Sequence, residues 1–173
     1  MIRQLKDGGR CGIVVPNGVL FGDGVGARIK QQLLTDCNLH TVVRLPDGVF
    51  EPYTMIPSNL LFFEKTGRTK ETWFYEIPPP EGRKKYTKTK PMHFEEFADC
   101  QTWWRDREDN ERAWRVPIAD LETNGFNLDL KNPNRPDDLA HRPPAELVGE
   151  LLTIEKEILA VLEQLQTEIG SDQ

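Results

Sequence analysis

The sequence predicts an α/β fold, the later half of a doubly wound sheet, and three observations carry that prediction. Short apolar runs at residues 11–15, 41–45 and 59–63 are rich in Val, Ile, Leu and Phe. They are bounded by Gly, Pro and Asp, the pattern of strands buried on both faces. Between the first two runs, Ala27, Ile29, Leu33 and Leu34 recur at helical spacing. The resulting order is strand, helix, strand, strand. One such unit alone leaves sheet edges and faces uncovered, so residues 9–65 read as the second half of a domain whose first half lies elsewhere.

The elements follow in order. Residues 1–5 read as the tail of a short helix stopped by Gly8-Gly9. The first strand ends at Pro16-Asn17-Gly18, a loop at the strand's carboxyl end, where open α/β sheets place their ligands. A glycine-rich stretch, residues 22–26, leads into the helix, which runs to about Asp36. The second strand closes at Pro46-Asp47-Gly48 and is followed by a loop over residues 49–57. A third strand runs to Lys65, and Thr66-Gly67-Arg68 turns the chain into a fourth over residues 72–77, a pair that reads as a hairpin on the sheet's edge.

Pro78-Pro79-Pro80 marks a boundary. Beyond it come a basic loop at residues 82–91 and an amphipathic helix over residues 93–104, with Phe94, Phe97, Ala98 and Trp104 on one face. A solvated charge run over residues 105–112 follows. Residues 118–122 form a short helix stopped at Asn124-Gly125, and residues 126–130 a candidate short strand. A proline-rich linker covers residues 132–144. The last element is the most regular: Leu147, Leu151, Ile154, Ile158, Val161 and Leu165 alternate spacings of four and three, an a/d seam. Leu152, Leu159 and Leu162 widen the stripe towards a bundle, and at 1.5 Å per residue the helix is roughly 38 Å long. It either docks on its own domain or projects to a partner, and the linker and length favour the partner. The expected divisions are therefore residues 1–78, 79–143 and 144–173.

Composition narrows the function. The net charge of −6 excludes a surface that coats nucleic acid throughout, while leaving room for one local basic face. No apolar run reaches membrane-span length and the N-terminus has no signal-peptide core, so a cytoplasmic protein is expected. Cys11, Cys37 and Cys100 have no CxxC or histidine pairing and read as reduced thiols serving as small hydrophobes; His40, His93 and His141 have no ligand spacing, and no metal is expected. The glycine stretch is spaced G-x-G-x-G and begins six residues after the strand, unlike a dinucleotide fingerprint, although Asp47 closes the next strand. Arg83, Lys84, Lys85, Lys88 and Lys90, with Tyr86 between them, either face phosphates or form a solvated loop. Trp73, Trp103, Trp104 and Trp114 read as packing residues.

On GGRCGIVVPNGVLFG, on NLHTVVRLPDGVFEPYTMIPSNLLFFEK and more loosely on WRVPIADLETNGFNLDLKNPN, the chain resembles the modification subunit of type I restriction–modification systems, an N6-adenine DNA methyltransferase. The resemblance covers the chain to about Pro133. It implies the methyltransferase variant of the doubly wound sheet, ending in an antiparallel strand at residues 59–63. It also implies methyl transfer from S-adenosylmethionine to an adenine amino group flipped out of the duplex. The family's catalytic Asn-Pro-Pro-Phe/Tyr motif and its cofactor motif are absent from this chain, and Asn132-Pro133-Asn134 matches the former neither in letters nor in place. No catalytic or cofactor residue is therefore expected here, and the chain by itself is expected neither to methylate nor to bind S-adenosylmethionine. Pro16 and Asn17 correspond to the strand end beside the catalytic motif. Phe50, then Tyr53, correspond to the loop that sets an aromatic ring against the flipped base. The resemblance implies a specificity subunit contacted by the terminal helix, a second modification subunit, a restriction subunit and double-stranded DNA as partners. Two other readings stay open: a non-catalytic module that occupies the specificity subunit, and a small nucleotide-binding protein using residues 22–26.

The seam generates a prediction. Ile158→Asp abolishes association with the partner in copurification while the domain keeps its thermal transition; loss of the whole transition would put the helix in the domain core.

Overall fold

The sheet is mixed, and its strands lie in the order β1-β3-β2-β4-β5. In a computed structural model, which describes residues 2–79, 82–134, 148–149, 152, 154–156 and 158–159, the strands are β1 (Arg10–Pro16), β2 (Asn38–Arg44), β3 (Ser58–Glu64), β4 (Glu71–Glu76) and β5 (Ala113–Pro117). The helices are α1 (Asn17–Phe21), α2 (Val25–Asp36), α3 (Ala98–Arg105) and α4 (Ile118–Thr123), with single 3₁₀ turns at Ile2–Gln4 and Phe94–Phe97. All of these belong to one unit, Met1–Arg135; a second unit is Pro136–Gln173.

β3 runs antiparallel to both of its neighbours, from Arg10 opposite Glu64 to Pro16 opposite Ser58 on one side and from Asn38 opposite Glu64 to Arg44 opposite Asn59 on the other. β1 and β2 are therefore parallel to each other across it. The register slips between Leu39 and Thr41, leaving His40 as a bulge. β4 joins β2 in parallel and β5 joins β4 antiparallel.

The expected hairpin between the third and fourth strands does not form. Both edges of β3 are taken, so the chain passes beneath the start of β2 and emerges on its far side. Buried threonines hold that crossing: Thr69 Oγ1 donates to the Cys37 carbonyl and accepts from the Leu39 amide, each at 2.8 Å, and Thr72 Oγ1 donates to the Leu39 carbonyl at 2.8 Å. The Thr69 amide bonds the Leu34 carbonyl at the end of α2 (2.9 Å).

Two cores cover the two faces. One gathers Leu33 and Leu34 of α2, Leu39 and Val42 of β2, Leu61 and Phe63 of β3, Phe74, Trp114, Leu121 and Leu128. The other seats Cys100 and Trp103 of α3 on Val43, Leu45, Tyr75 and Ile77. The four tryptophans pack, as read from the sequence. Five residues differ. In α2, Ile29 is exposed and Lys30 is only 3% exposed, its aliphatic stem buried and its Nζ donating to the Leu20 carbonyl at the end of α1 (2.6 Å). Phe94 and Ala98 face solvent, because the turn before α3 is 3₁₀ and shifts the buried stripe to Cys100 and Trp103. Within the charge run, Arg107 is half-buried with its guanidinium 4.6 Å from the Trp104 ring centroid.

The short strand expected at residues 126–130 is irregular. Gly125 and Phe126 both take left-handed backbone (φ +63° and +61°), which turns the chain out of α4 and back across the sheet. The resulting strap, residues 126–134, buries Leu128 completely, and its amide bonds the Leu20 carbonyl at 3.0 Å. β5, α4 and the strap thus share the sheet's unit with residues before the triple proline.

On its outer side β1 has no paired strand among the described residues. Val14, Val19, Phe21, Val25 and Ile29, on β1, α1 and α2, are exposed apolar side chains. In the second unit, Ile154 and Ile158 of the seam are helical and exposed, as are Leu152 and Leu159; Leu147, Leu151, Val161 and Leu165 lie outside the described residues. No helix among the described residues is long and apolar enough to cross a membrane.

Replacing the strap's anchor, Leu128→Ala, is expected to lower unfolding stability by about 2–5 kcal/mol in denaturant titration; an unchanged midpoint would show that the strap is not part of the cooperative core.

Candidate functional site

Because β1, β2 and β4 are parallel, their carboxyl ends share one edge of the sheet with the amino ends of β3 and β5. This is the edge where open α/β sheets bind ligands. Here the strap runs along it in the order of the strands. Leu128 bonds Leu20 just beyond β1, and Asp129 accepts from Asn17 Nδ2 (3.3 Å) and from Arg44 Nη2 (2.5 Å). Arg44 Nη1 donates to the Leu130 carbonyl. Asn132 Nδ2 reaches Glu76 at the end of β4 (3.2 Å) and the Glu111 carbonyl (2.8 Å), and Asn134 Nδ2 reaches the Asn110 carbonyl (2.9 Å) and the Ala113 carbonyl at β5 (3.2 Å).

The predicted strand end is the best-held part of this edge. The Asn17 amide donates to the Pro57 carbonyl (2.8 Å), its side-chain oxygen accepts from Asn59 Nδ2 (3.1 Å), and its side-chain nitrogen donates to Asp129. Asn59, on β3, is itself buried. These contacts orient the Asn17 amide in one sense. Pro16 is exposed beside it.

The loop between β2 and β3 stands next to Asn17. Phe50, the first rim candidate, is half-buried against the second core, while Tyr53 is 93% exposed. The loop is joined to the basic loop, which the sequence did not connect with it. The Tyr86 amide donates to the Asp47 carbonyl (2.9 Å), and Lys85 Nζ pairs with Glu51 Oε1 (2.9 Å). Gly48 (φ +77°) lies so close to the Tyr86 backbone that a Cβ there would fall 2.2 Å from the Tyr86 oxygen. Tyr86 is buried, donates its hydroxyl to Glu96 (2.7 Å), and lies beneath the Arg83 guanidinium at 5.8 Å. Burial first and the Glu96 contact second push its phenol up to about 12. Arg83, Lys84, Lys88 and Lys90 are exposed.

The glycine stretch is separated from β1 by α1; an added Cβ at Gly24 or Gly26 would meet nothing within 4 Å, and one at Gly22 would lie 3.0 Å from the Gly18 carbonyl oxygen. Beside the strap, Asn17, Arg44, Asp47, Asn59 and Glu76 line a cavity of about 310 Å³ at the strand ends. The described residues contain no cluster of His, Cys, Asp and Glu suited to a metal ion, and Cys11, Cys37 and Cys100 are free thiols, burial pushing Cys100 up to about 11.

Sequence reasoning missed Arg44, Asn59 and Asp129, and read Tyr86 only as an aromatic within the basic loop. Asp129 had a signal in the Asn- and Asp-rich run FNLDLKNPN, a composition suited to bonding exposed backbone and strand ends. Arg44, a cation closing an apolar strand, had none.

A mixed sheet with its antiparallel strand inserted between parallel neighbours, and a braced loop at their carboxyl edge, defines a portion of an open α/β domain. The chain belongs to the N-6 DNA methylase family, whose model matches residues 1–141. It is 48% identical over 178 residues to the methylase subunit of the type I restriction enzyme EcoEI from Escherichia coli, covering 99% of this chain and 36% of that protein. A solved modification subunit of a type I restriction enzyme from Vibrio vulnificus shares 52% identity at a TM-score of 0.72, covering 79% of this chain and 30% of that one. A chain from a solved type I restriction–modification system shares 40% identity at a TM-score of 0.73, covering 97% and 37%. The chain thus spans about a third of the length of these relatives.

The Tyr86 environment has a pH signature. Its folded pKa lies above its unfolded value, near 10, so its contribution is complete below pH 10 and disappears as pH rises towards 12. Tyr86→Phe is expected to remove on the order of 2 kcal/mol of the stability lost over that window, measured as unfolding free energy against pH; identical alkaline profiles in the two proteins would refute it.

Proposed function

We propose that this chain is the C-terminal part of a type I modification subunit, which methylates the adenine amino group in DNA with S-adenosylmethionine. In this reading the chain contributes the far half of the catalytic sheet, the rim of the target-base pocket and a helix for subunit association. The observation that carries it is the outer side of β1. A strand with no partner on its outer side among the described residues, flanked by exposed Val14, Val19, Phe21, Val25 and Ile29, is what a sheet leaves when its preceding strand and helix are taken away.

The strap supports the same division of labour. It ties the strand ends from β1 to β5 to one another, and the donor site and the catalytic motif fall to the part of the subunit beyond β1. The rim falls to Pro16 and Asn17 at the strand end and to Phe50 and Tyr53 on the adjacent loop. Arg83, Lys84, Lys85, Lys88 and Lys90 serve target-strand phosphates, supported by the contacts that dock their loop on the rim. Lys85 contributes chiefly through Glu51. The long terminal helix serves the specificity subunit, supported by the apolar side chains it exposes at Leu152, Ile154, Ile158 and Leu159. The second modification subunit, the restriction subunit and a cytoplasmic location complete the assembly. A non-catalytic module that merely occupies the specificity subunit would use the same helix and is separated from this reading by complementation.

Calorimetric titration of the 173-residue chain with S-adenosylmethionine is expected to show no binding, and addition of the missing N-terminal part, with the specificity subunit, to restore adenine methylation. A clear isotherm with the chain alone, or no methylation in the reconstituted assembly, would reject the proposal.

A further inference from the structure

We propose that Met55 and Ile56, at the tip of the β2–β3 loop beyond the rim residue Tyr53, are a wedge that enters the DNA duplex beside the target base pair and holds open the space vacated by the flipped adenine. This rests on the methyltransferase reading above. Three large apolar side chains within four residues are exposed there, Tyr53 at 93%, Met55 at 63% and Ile56 at 58%. No charged residue lies between Pro52 and Pro57. Apolar area left in water at this density marks a binding surface.

The tip is carried on a stiff base. The amides of Tyr53 and Thr54 bond the Phe50 carbonyl (2.9 and 3.1 Å), and the Ile56 amide bonds Thr54 Oγ1 (3.0 Å). Phe50 anchors one limb in the second core. Pro57 anchors the other by accepting from the Asn17 amide, at the strand end assigned to the base pocket. A braced apolar projection can separate stacked bases, because it spends little of its contact energy on becoming ordered.

The choice of duplex DNA as the occupant comes from charge. The basic loop is latched to the base of this projection through Lys85–Glu51 and Tyr86–Asp47, and presents Arg83, Lys84, Lys88 and Lys90 to solvent in a chain of net charge −6. An apolar protein partner would match the tip and leave four cations at its margin uncompensated. A duplex matches both, with bases against the tip and phosphates against the loop.

The test uses the complete modification complex with Met55→Ala/Ile56→Ala and two substrates: a duplex whose target adenine is paired with thymine, and one whose target adenine is mispaired. The expected result is a loss of about tenfold or more in methylation rate on the paired duplex, returning to within about twofold of the unmodified complex on the mispaired one, where opening is already achieved. An undiminished rate on the paired duplex overturns the wedge. An equal loss on both substrates also overturns it, because the tip then packs on protein or builds the pocket. Should the unmodified complex methylate neither duplex, the methyltransferase reading itself falls and the wedge with it.

Discussion

One carboxylate holds the carboxyl edge of this sheet together. Asp129 accepts from the Arg44 guanidinium at the end of β2 and from the Asn17 amide at the end of β1, while Arg44 also bonds the Leu130 carbonyl and Asn17 is fixed by Asn59 and Pro57. Both charged partners are only partly buried, with side-chain exposures of 21% and 27%. They keep much of their hydration and gain directional, charge-assisted bonds. The strands they join are neighbours through β3, so the network fixes the strap relative to three strands at once. Loss of Asp129 would leave a guanidinium and two carboxamides at this edge to find new partners.

The strap braces this edge. In an open α/β sheet the strand ends form the ligand crevice; here residues 126–134 run along them, with Leu128 buried in the core and Asn132 and Asn134 serving strand-end carbonyls and Glu76, and a cavity lined by Asn17, Arg44, Asp47, Asn59 and Glu76 stays beside it. Among the described residues, the outer flank of β1, the Tyr53–Ile56 tip and the cations of the basic loop are exposed. The tip is coupled to the basic loop by backbone packing as well as by charge. Gly48 has no room for a side chain against Tyr86, so the two loops pack backbone against backbone.

The strands of the βαβ core were legible because burial on both faces demands unbroken runs of Val, Ile, Leu and Phe, and such runs are visible without knowing their neighbours. The antiparallel placement of the third strand came from the family resemblance. The partner of β4 was not legible. A hairpin and a crossover begin with the same Thr-Gly-Arg turn, and the choice was made by Thr69 and Thr72, whose hydroxyls satisfy backbone groups of residues 37–39. Helix faces were read approximately. Lys30 took the place expected of Ile29 because a long aliphatic stem can be buried when its amine meets a carbonyl, an outcome hydropathy alone does not register.

The candidate site divides the same way. Sequence alone determined the α/β class, the strand ends at Pro16-Asn17 and Pro46-Asp47, the basic loop and the absence of the catalytic motif, since these depend on residue type and local spacing. Tertiary structure decided that Phe50 turns inward while Tyr53 projects, that the basic loop docks on the β2–β3 loop through Tyr86, and that the FNLDLKNPN run becomes a strap instead of a strand. Each of these turns on which distant backbone groups are left unpaired and which apolar surfaces are left uncovered. Asp129 meets Arg44 across 85 residues of chain, and no local pattern encodes a contact whose partners become neighbours only once the sheet has closed between them.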